Sequence, residues 1–529
     1  MQFNLADLFE HAVDQFSDRE YLVVGGRRRT YGEMEERANR LAHHLAAQGV
    51  GPGDHVGIYG LNSIEWVETI WAAFKLRAVW ININYRYVED ELAYLFDNAD
   101  LKALLHDPDY TARVDGVLDK LPQLTHRLIY GPEYEAALAA QSSDRDFGPR
   151  SSDDIYVLFT GGTTGMPKGV VWRHEDVLFA LGGGLDILTG IPIEKPEDLA
   201  AKGHAMGGMQ LTFLPIAPLM HGATQWAVMG QSFTGNRVVL VPRFEPHEVW
   251  RLVQDEKVNA IMITGDAMGR PLIEALEHEP SRSCDLSSLF SLSSTAAVFS
   301  PSVKDQFLER FPDLMLTDSM GASESGATGI TRVLKGATAM KSGPTVSPVS
   351  GTVVLTDEGE LVEPGSGVVG KVARAGWIPK GYYNDPVKTA ETFVEWGGKR
   401  YVIPGDYATV EADGSITLLG RGSQSINSGG EKIYPEEVEA AVKSHPDVYD
   451  AVVVGVPDEK WGQRVAVVVE LRDGVSAPVE ILLESIQGHC RAKVSGYKVP
   501  REVHVVPAVQ RSPSGKPDYP WAKNVATGS

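Results

Sequence analysis

The chain has 529 residues, 22% of them charged and 43% hydrophobic, with a formal net charge of -21. It is a folded chain long enough for two or more domains, and its acidic surface excludes nucleic acid and anionic membrane as main partners, although a nucleotide can occupy a local basic patch. The two cysteines, Cys284 and Cys490, have neither the spacing of a zinc site nor the number for a disulfide framework, which fits a reducing cytoplasm.

In chain order, the opening MQFNLADLFEHAVDQF carries acidic residues at helical spacing and does not read as a leader. No uncharged apolar run of about 18 residues follows anywhere, so no transmembrane segment is expected. In YGEMEERANRLAHHLAAQGV, Met34, Ala38, Leu41 and Leu45 recur every three or four residues and Gly49 is a stop, which predicts an amphipathic helix. HVGIYG then reads as a buried strand, and SIEWVETIWAAFKLRAVW as a helix running into another strand. LTFLPIAP, NRVVLVP, AIMITG and LMLTDSMG continue the alternation, which predicts α/β architecture with mainly parallel sheets.

From Gly351 to Leu419 short strands alternate with turns such as TDEGE and EADGS, the pattern of an antiparallel or barrel-like subdomain. LGRGSQSINSGGEKIYP has the glycine and serine content of a linker or functional loop. PEEVEAAVKSH, DAVVVGV, RVAVVVEL and VEILLESIQGHCRA then predict a small α+β domain. The expected division is a large domain over 1–420 and a small, mobile one over 421–529.

The segment TGGTTGMPKG, residues 160–169, sets four glycines and three threonines around Lys168. Glycines let the backbone approach a ligand, while hydroxyls, amides and an ammonium supply donors and charge, so the segment suits phosphate. It is not a Walker loop. Pro167 interrupts the approach to Lys168, and Gly169 stands where a metal-binding hydroxyl is needed.

Taken with GASE at 321–324, GD at 405–406, GR at 420–421, GGEKIYPEEVE at 429–439 and SPSGK at 512–516, the chain resembles the adenylate-forming superfamily of acyl-CoA synthetases, adenylation domains and luciferases, from about residue 20 to 523. The resemblance implies two steps: a carboxylate attacks the α-phosphate of ATP to give an acyl-adenylate, and the thiol of coenzyme A then displaces AMP. Two anions must meet in the first step, so donors and cations must screen their repulsion and align them.

By the same resemblance, Thr160, Gly161, Gly162, Thr163, Thr164, Gly165 and Lys168 hold the departing phosphates, and Glu324 binds magnesium. Ser323 stands where a hydroxyl meets the α-phosphate, and Ser319, Met320, Gly321 and Ala322 lead into it. Met320 departs from the aromatic residue usual against adenine. Thr295, Ala296 and Ala297 match a small-residue adenine turn, Asp406 the ribose aspartate and Arg421 an arginine reaching ribose or phosphate. Lys516 matches the lysine that stabilises charge during adenylation. The hinge falls at Gln424, with Asn427 where many relatives carry lysine, and Ser428, Gly429 and Gly430 are candidates for contacts to coenzyme A.

His221 matches a gate between acyl pocket and thiol tunnel, with a role in orientation more than as a base. Met220, Trp226, Met229, Met268 and Phe299 suit an acyl pocket and equally an ordinary core. DSMGASESG and GRGSQSINSGGEKIYPEEVE are similar to bacterial synthetases of bulky acids, which implies a long-chain fatty or steroid-derived carboxylate. The alternatives are a shorter or aromatic acid, or a carrier protein in place of coenzyme A. The resemblance also implies that dimers are frequent, but no interface is legible.

Overall fold

The structure is a computed structural model that describes residues 2–160, 166–181, 183–185, 191–205, 208–333, 344–428, 431–458, 461–512 and 515–528. Local chemistry accounts for its first helices. Thr30 accepts from the Glu33 amide and the Glu33 side chain from that of Thr30, a reciprocal cap that starts helix Tyr31–Ala47. Met34, Ala38, Leu41 and Leu45 form its buried face. Ser63 caps helix Ile64–Lys75, every residue of which is buried.

Among the described residues the strands form three sheets. The first has seven strands, in the order Gly381–Tyr382, Lys168–Arg173, Ile155–Thr160, Val79–Ile83, His55–Tyr59, Leu101–His106 and His126–Ile129. Pairing is parallel from Ile155–Thr160 to His126–Ile129 and antiparallel beyond it. The second sheet has a parallel half, in which Arg237–Leu240, Thr212–Pro215, Ala260–Ile263, Ser291–Ser294 and Met315–Ala322 are successive neighbours. The strands expected between Gly351 and Leu419 are antiparallel and extend this same sheet through Gly326–Val333 and Thr345–Pro348. They share a small core of Val346, Val354, Val372, Ala408 and Ile416.

The third sheet holds Ile426–Ser428, Glu431–Ile433, Val448–Asp458, Gly462–Leu471 and Glu502–Val506, covered by helices Pro435–Lys443 and Val479–Arg491. Here one expectation needs correction. The stretch read as linker or loop contains the turn Gly422–Gln424 and a hairpin, because Ile426 and Ile433 are buried in the core of this third sheet. No described helix is long and apolar enough to cross a membrane.

Helix Ile64–Lys75 sinks a charge at its end. The Lys75 ammonium is 2.5 Å from Glu10 and 2.9 Å from Glu35, and all three side chains are buried. Burial raises the Glu10 carboxyl, but Lys75 and Arg150 outweigh it and hold the group below its usual range. The stability this gives is present above the ordinary carboxyl value of 4.5 and is lost as pH falls through the lowered native one. Lys75→Met removes the ammonium shared by two buried carboxylates and leaves Glu10 to Arg150 and Glu35 to Arg145, and we expect it to cost about 1–3 kcal/mol, read as a fall in the urea midpoint at pH 7 that shrinks as pH is lowered.

Candidate active site

The phosphate-type segment is flanked by two paired strands. Strands Ile155–Thr160 and Lys168–Arg173 pair antiparallel with Thr160 opposite Lys168, so the chain leaves and returns at one spot. Gly161, Gly162, Thr163, Thr164 and Gly165 lie outside the described residues. Lys168 is ion-paired with Asp385, and its ammonium holds that carboxyl below the usual range. The second Asp385 oxygen caps helix Pro386–Thr392 through the Lys388 amide at 2.9 Å.

A cavity of about 280 Å³ opens beside this hairpin, and Thr160, His221, Ser323 and Lys516 all line it. It lies at the carboxyl ends of parallel strands from both large sheets, where backbone donors diverge and α/β folds place ligands. Asn82, buried at the end of its strand, joins the two walls. Its amide donates to the Phe159 carbonyl at 2.8 Å and the Met220 carbonyl at 2.7 Å, and its oxygen accepts from the Phe159 amide at 2.8 Å. Asn62 holds the same turn by accepting from the Leu219 amide at 2.6 Å.

His221 sits at the start of helix Gly222–Ser232, with its Nε2 sealed from solvent and unbonded among the described residues. Burial, then the charges of Lys516 and Arg86, push the imidazole down to about 3. It is therefore neutral at physiological pH. Around Lys516, Ser512 donates its amide to the Lys516 carbonyl at 2.9 Å and Arg511 bonds the Gly515 carbonyl at 2.8 Å. Arg511 is itself gripped by both oxygens of Asp450, at 2.6 and 2.7 Å.

Across the cavity, strand Met315–Ala322 delivers Ser323 and Glu324 to a turn. Trp172 donates to the Ser323 carbonyl at 3.1 Å, and the Tyr382 hydroxyl to Glu324 Oε1 at 3.0 Å. Beneath the turn a buried arginine, Arg374, binds the carbonyls of Ala180, Ser325 and Ala327 at 3.2, 2.6 and 2.7 Å. Burial pushes its guanidinium down to about 10. Gly326 must be glycine here: its φ is +68°, and an added Cβ would lie 2.7 Å from the Ala180 carbonyl and 2.8 Å from Arg374.

Ser319 donates to the Ser294 carbonyl at 3.1 Å, which fixes the strand end from which Thr295, Ala296 and Ala297 leave. Ala296 has φ +67° and the Ala297 amide bonds the Thr295 carbonyl at 2.8 Å, a strained turn of the kind found at ligand sites. Met320 is half-buried against the antiparallel core, and Gly321 and Ala322 complete the strand. Asp406 and Arg421 face each other on neighbouring strands, although the Arg421 side chain is outside the described residues. None of Thr295, Met320, Asp406 or Ser428 lines the 280 Å³ cavity.

Gln424 ends the turn Gly422–Gln424, whose first amide bonds the Gly405 carbonyl at 3.1 Å. The Asn427 amide bonds Gln463 at 2.9 Å, Ser428 is buried in the third sheet, and Gly429 and Gly430 lie outside the described residues. Of the apolar candidates, Met220 lines the cavity and Met268 a neighbouring cleft of about 450 Å³, while Trp226, Met229 and Phe299 line neither and pack in the cores. No cluster of three or more His, Cys, Asp or Glu suited to a metal occurs among the described residues. Glu324 offers one carboxylate oxygen pinned by Tyr382, which fits an ion such as magnesium that takes its other ligands from phosphate and water.

Sequence reading missed Asp385, Tyr382, Arg374 and Asn82. Asn82 had a signal, an amide inside the fully buried strand VWINI.

Two large sheets end at one cavity that Thr160, His221, Ser323 and Lys516 line, the last from a segment beyond the third sheet, an arrangement that suits an anionic ligand. Residues 9–383 match the AMP-binding enzyme family and residues 437–516 the AMP-binding enzyme C-terminal domain, and the chain belongs to that family. It is 53% identical over 539 residues to the 3-oxocholest-4-en-26-oate--CoA ligase of Rhodococcus rhodochrous, covering 99% of this chain and 96% of that one. It is 52% identical to the medium/long-chain-fatty-acid--CoA/3-oxocholest-4-en-26-oate--CoA ligase of Mycolicibacterium smegmatis, covering 99% of this chain and 97% of the relative. The fold is similar to that of the anthranilate CoA ligase AuaEII solved with anthranoyl-AMP, with a TM-score of 0.83, 22% identity, and 99% and 98% of the two chains covered.

With its imidazole depressed to about 3, His221 stays uncharged through the working range. Its ring carbon resonances are expected to stay flat between about pH 5 and 8, where an unperturbed histidine titrates. A titration midpoint near 6.5 assigned to His221 by comparison with His221→Gln would contradict this.

Proposed function

We propose that the chain activates a long-chain fatty or steroid side-chain carboxylic acid. The class of reaction is that of an ATP-dependent, AMP-forming acid–thiol ligase, which joins the acid to coenzyme A through an acyl-adenylate. The observation that carries the reading is the convergence of Thr160, His221, Ser323 and Lys516 from four separate stretches on one cavity.

In the first step the acid's carboxylate attacks the α-phosphate, and both reactants are anions. Lys516 and His221 both line the cavity, and Lys516 would bring its ammonium to the meeting point of carboxylate and phosphate. Lys168 and Thr160 would hold the β and γ phosphates, which requires Lys168 to exchange Asp385 for the nucleotide. Ser323 would donate to the α-phosphate and Glu324 would hold magnesium, which would supply charge neutralisation at the phosphates. Asp406 and Arg421 would take the ribose, and the turn Thr295–Ala297 the adenine. The neutral His221 orients and closes the acyl side, because a group depressed this far is a poor proton acceptor.

We further take residues 1–420 and 421–529 as two domains hinged near Gln424, a division supported by the separate core that starts at Ile426. The acid assignment is supported by the names of the two ligases above.

Two measurements test the reading. In a panel of acids assayed for CoA-dependent AMP release, fatty acids of long chain or steroid acids should exceed acetate and benzoate in kcat/KM, and the reverse order sinks the acid assignment. Lys516→Ala should slow acid-dependent ATP–pyrophosphate exchange on the order of 10²- to 10³-fold, the usual cost of one preorganised donor.

A further inference from the structure

Helix Gly265–Ala275 presents Ala267, Arg270, Pro271 and Glu274 at steps of three and four, and therefore on one face. That face meets the part of the chain that carries Lys516. The Arg270 guanidinium, 3% exposed, lies 5.5 Å from the ring centroid of Tyr449. Glu274 pairs with Arg472 at 3.5 Å across 198 residues of sequence. Ala267 and Thr264 abut Gly515 so closely that an added Cβ would fall 2.9 Å from the Ala267 Cβ and 3.0 Å from the Thr264 carbonyl.

These contacts are linked to Lys516 by short covalent and ionic steps. Tyr449 precedes Asp450, Asp450 clamps Arg511 with two hydrogen bonds, Arg511 holds the Gly515 carbonyl, and Lys516 follows Gly515. Arg270 is also ion-paired with Asp266 one turn back at 3.8 Å, so its buried guanidinium is held between its own helix and Tyr449.

We infer that this helix face is the seat that fixes Lys516 in the cavity, and that Arg270 and Glu274 are positioning residues for the adenylate-forming step although neither lines the 280 Å³ cavity. The inference rests on the reading of Lys516 as the adenylation lysine. A side chain placed by a docked surface loses its alignment when the surface loosens, and on that reading Lys516 serves the adenylate-forming step, so the thiol step is indifferent to it.

The test measures the half-reactions separately: acid-dependent ATP–pyrophosphate exchange, and thioester formation from a synthetic acyl-adenylate and coenzyme A. Glu274→Arg and Arg472→Glu should each lower exchange about fivefold, as befits a half-exposed pair, and the double variant E274R/R472E should restore it. Arg270→Met should lower exchange further, and thioester formation should stay within twofold of the parent in all four proteins. Unchanged exchange in Glu274→Arg and Arg270→Met overturns the inference. So does an equal fall in both half-reactions, which marks a role in folding alone. Lys516→Ala run alongside separates the two levels: exchange that survives it overturns the reading of Lys516 itself, whatever the seat variants do.

Discussion

The whole site hangs on one buried amide. Asn82 spends both ends of its side chain on backbone groups, Phe159 on one side and Met220 on the other, and so joins the end of the strand that feeds the phosphate-type hairpin to the turn that carries His221. Such a residue inside an apolar strand is costly unless every polar atom is satisfied. Here satisfaction requires that two different sheets keep one spacing, and the cavity is the space that this spacing leaves.

Around that fixed junction the cations are distributed unevenly in freedom. Arg374 is immobile, held by three carbonyls beneath the Glu324 turn. Lys168 is held by an ion pair that a stronger anion can replace, and Lys516 is brought by a separate sheet and seated through Gly515 against helix Gly265–Ala275. On the proposed reading of the two lysines, the order matches what joining two anions demands: a rigid floor, a lysine for the leaving phosphates, and a lysine for the reacting pair.

The elements were legible because periodicity reports burial directly, as in helix Tyr31–Ala47 and the valine-rich strands Val448–Asp458 and Gly462–Leu471. The cavity residues were legible as a set because the ordered motifs could be matched to a family. Asp385 and Arg374 were not, because their contacts cross 217 and 194 residues, and no local spacing encodes such a meeting. The hairpin at Ile426–Ile433 was hidden for another reason. Two isoleucines among glycines and serines carry no period, and only the neighbouring strand turns them into core.

The ion pair between Lys168 and Asp385 has a consequence for turnover. On the proposed role of Lys168, an arriving polyphosphate swaps one partner for another at that ammonium and gains only the difference. The same carboxylate stands ready to reclaim the lysine as pyrophosphate departs. On that reading the grip on the leaving group is capped by a carboxylate the chain itself supplies.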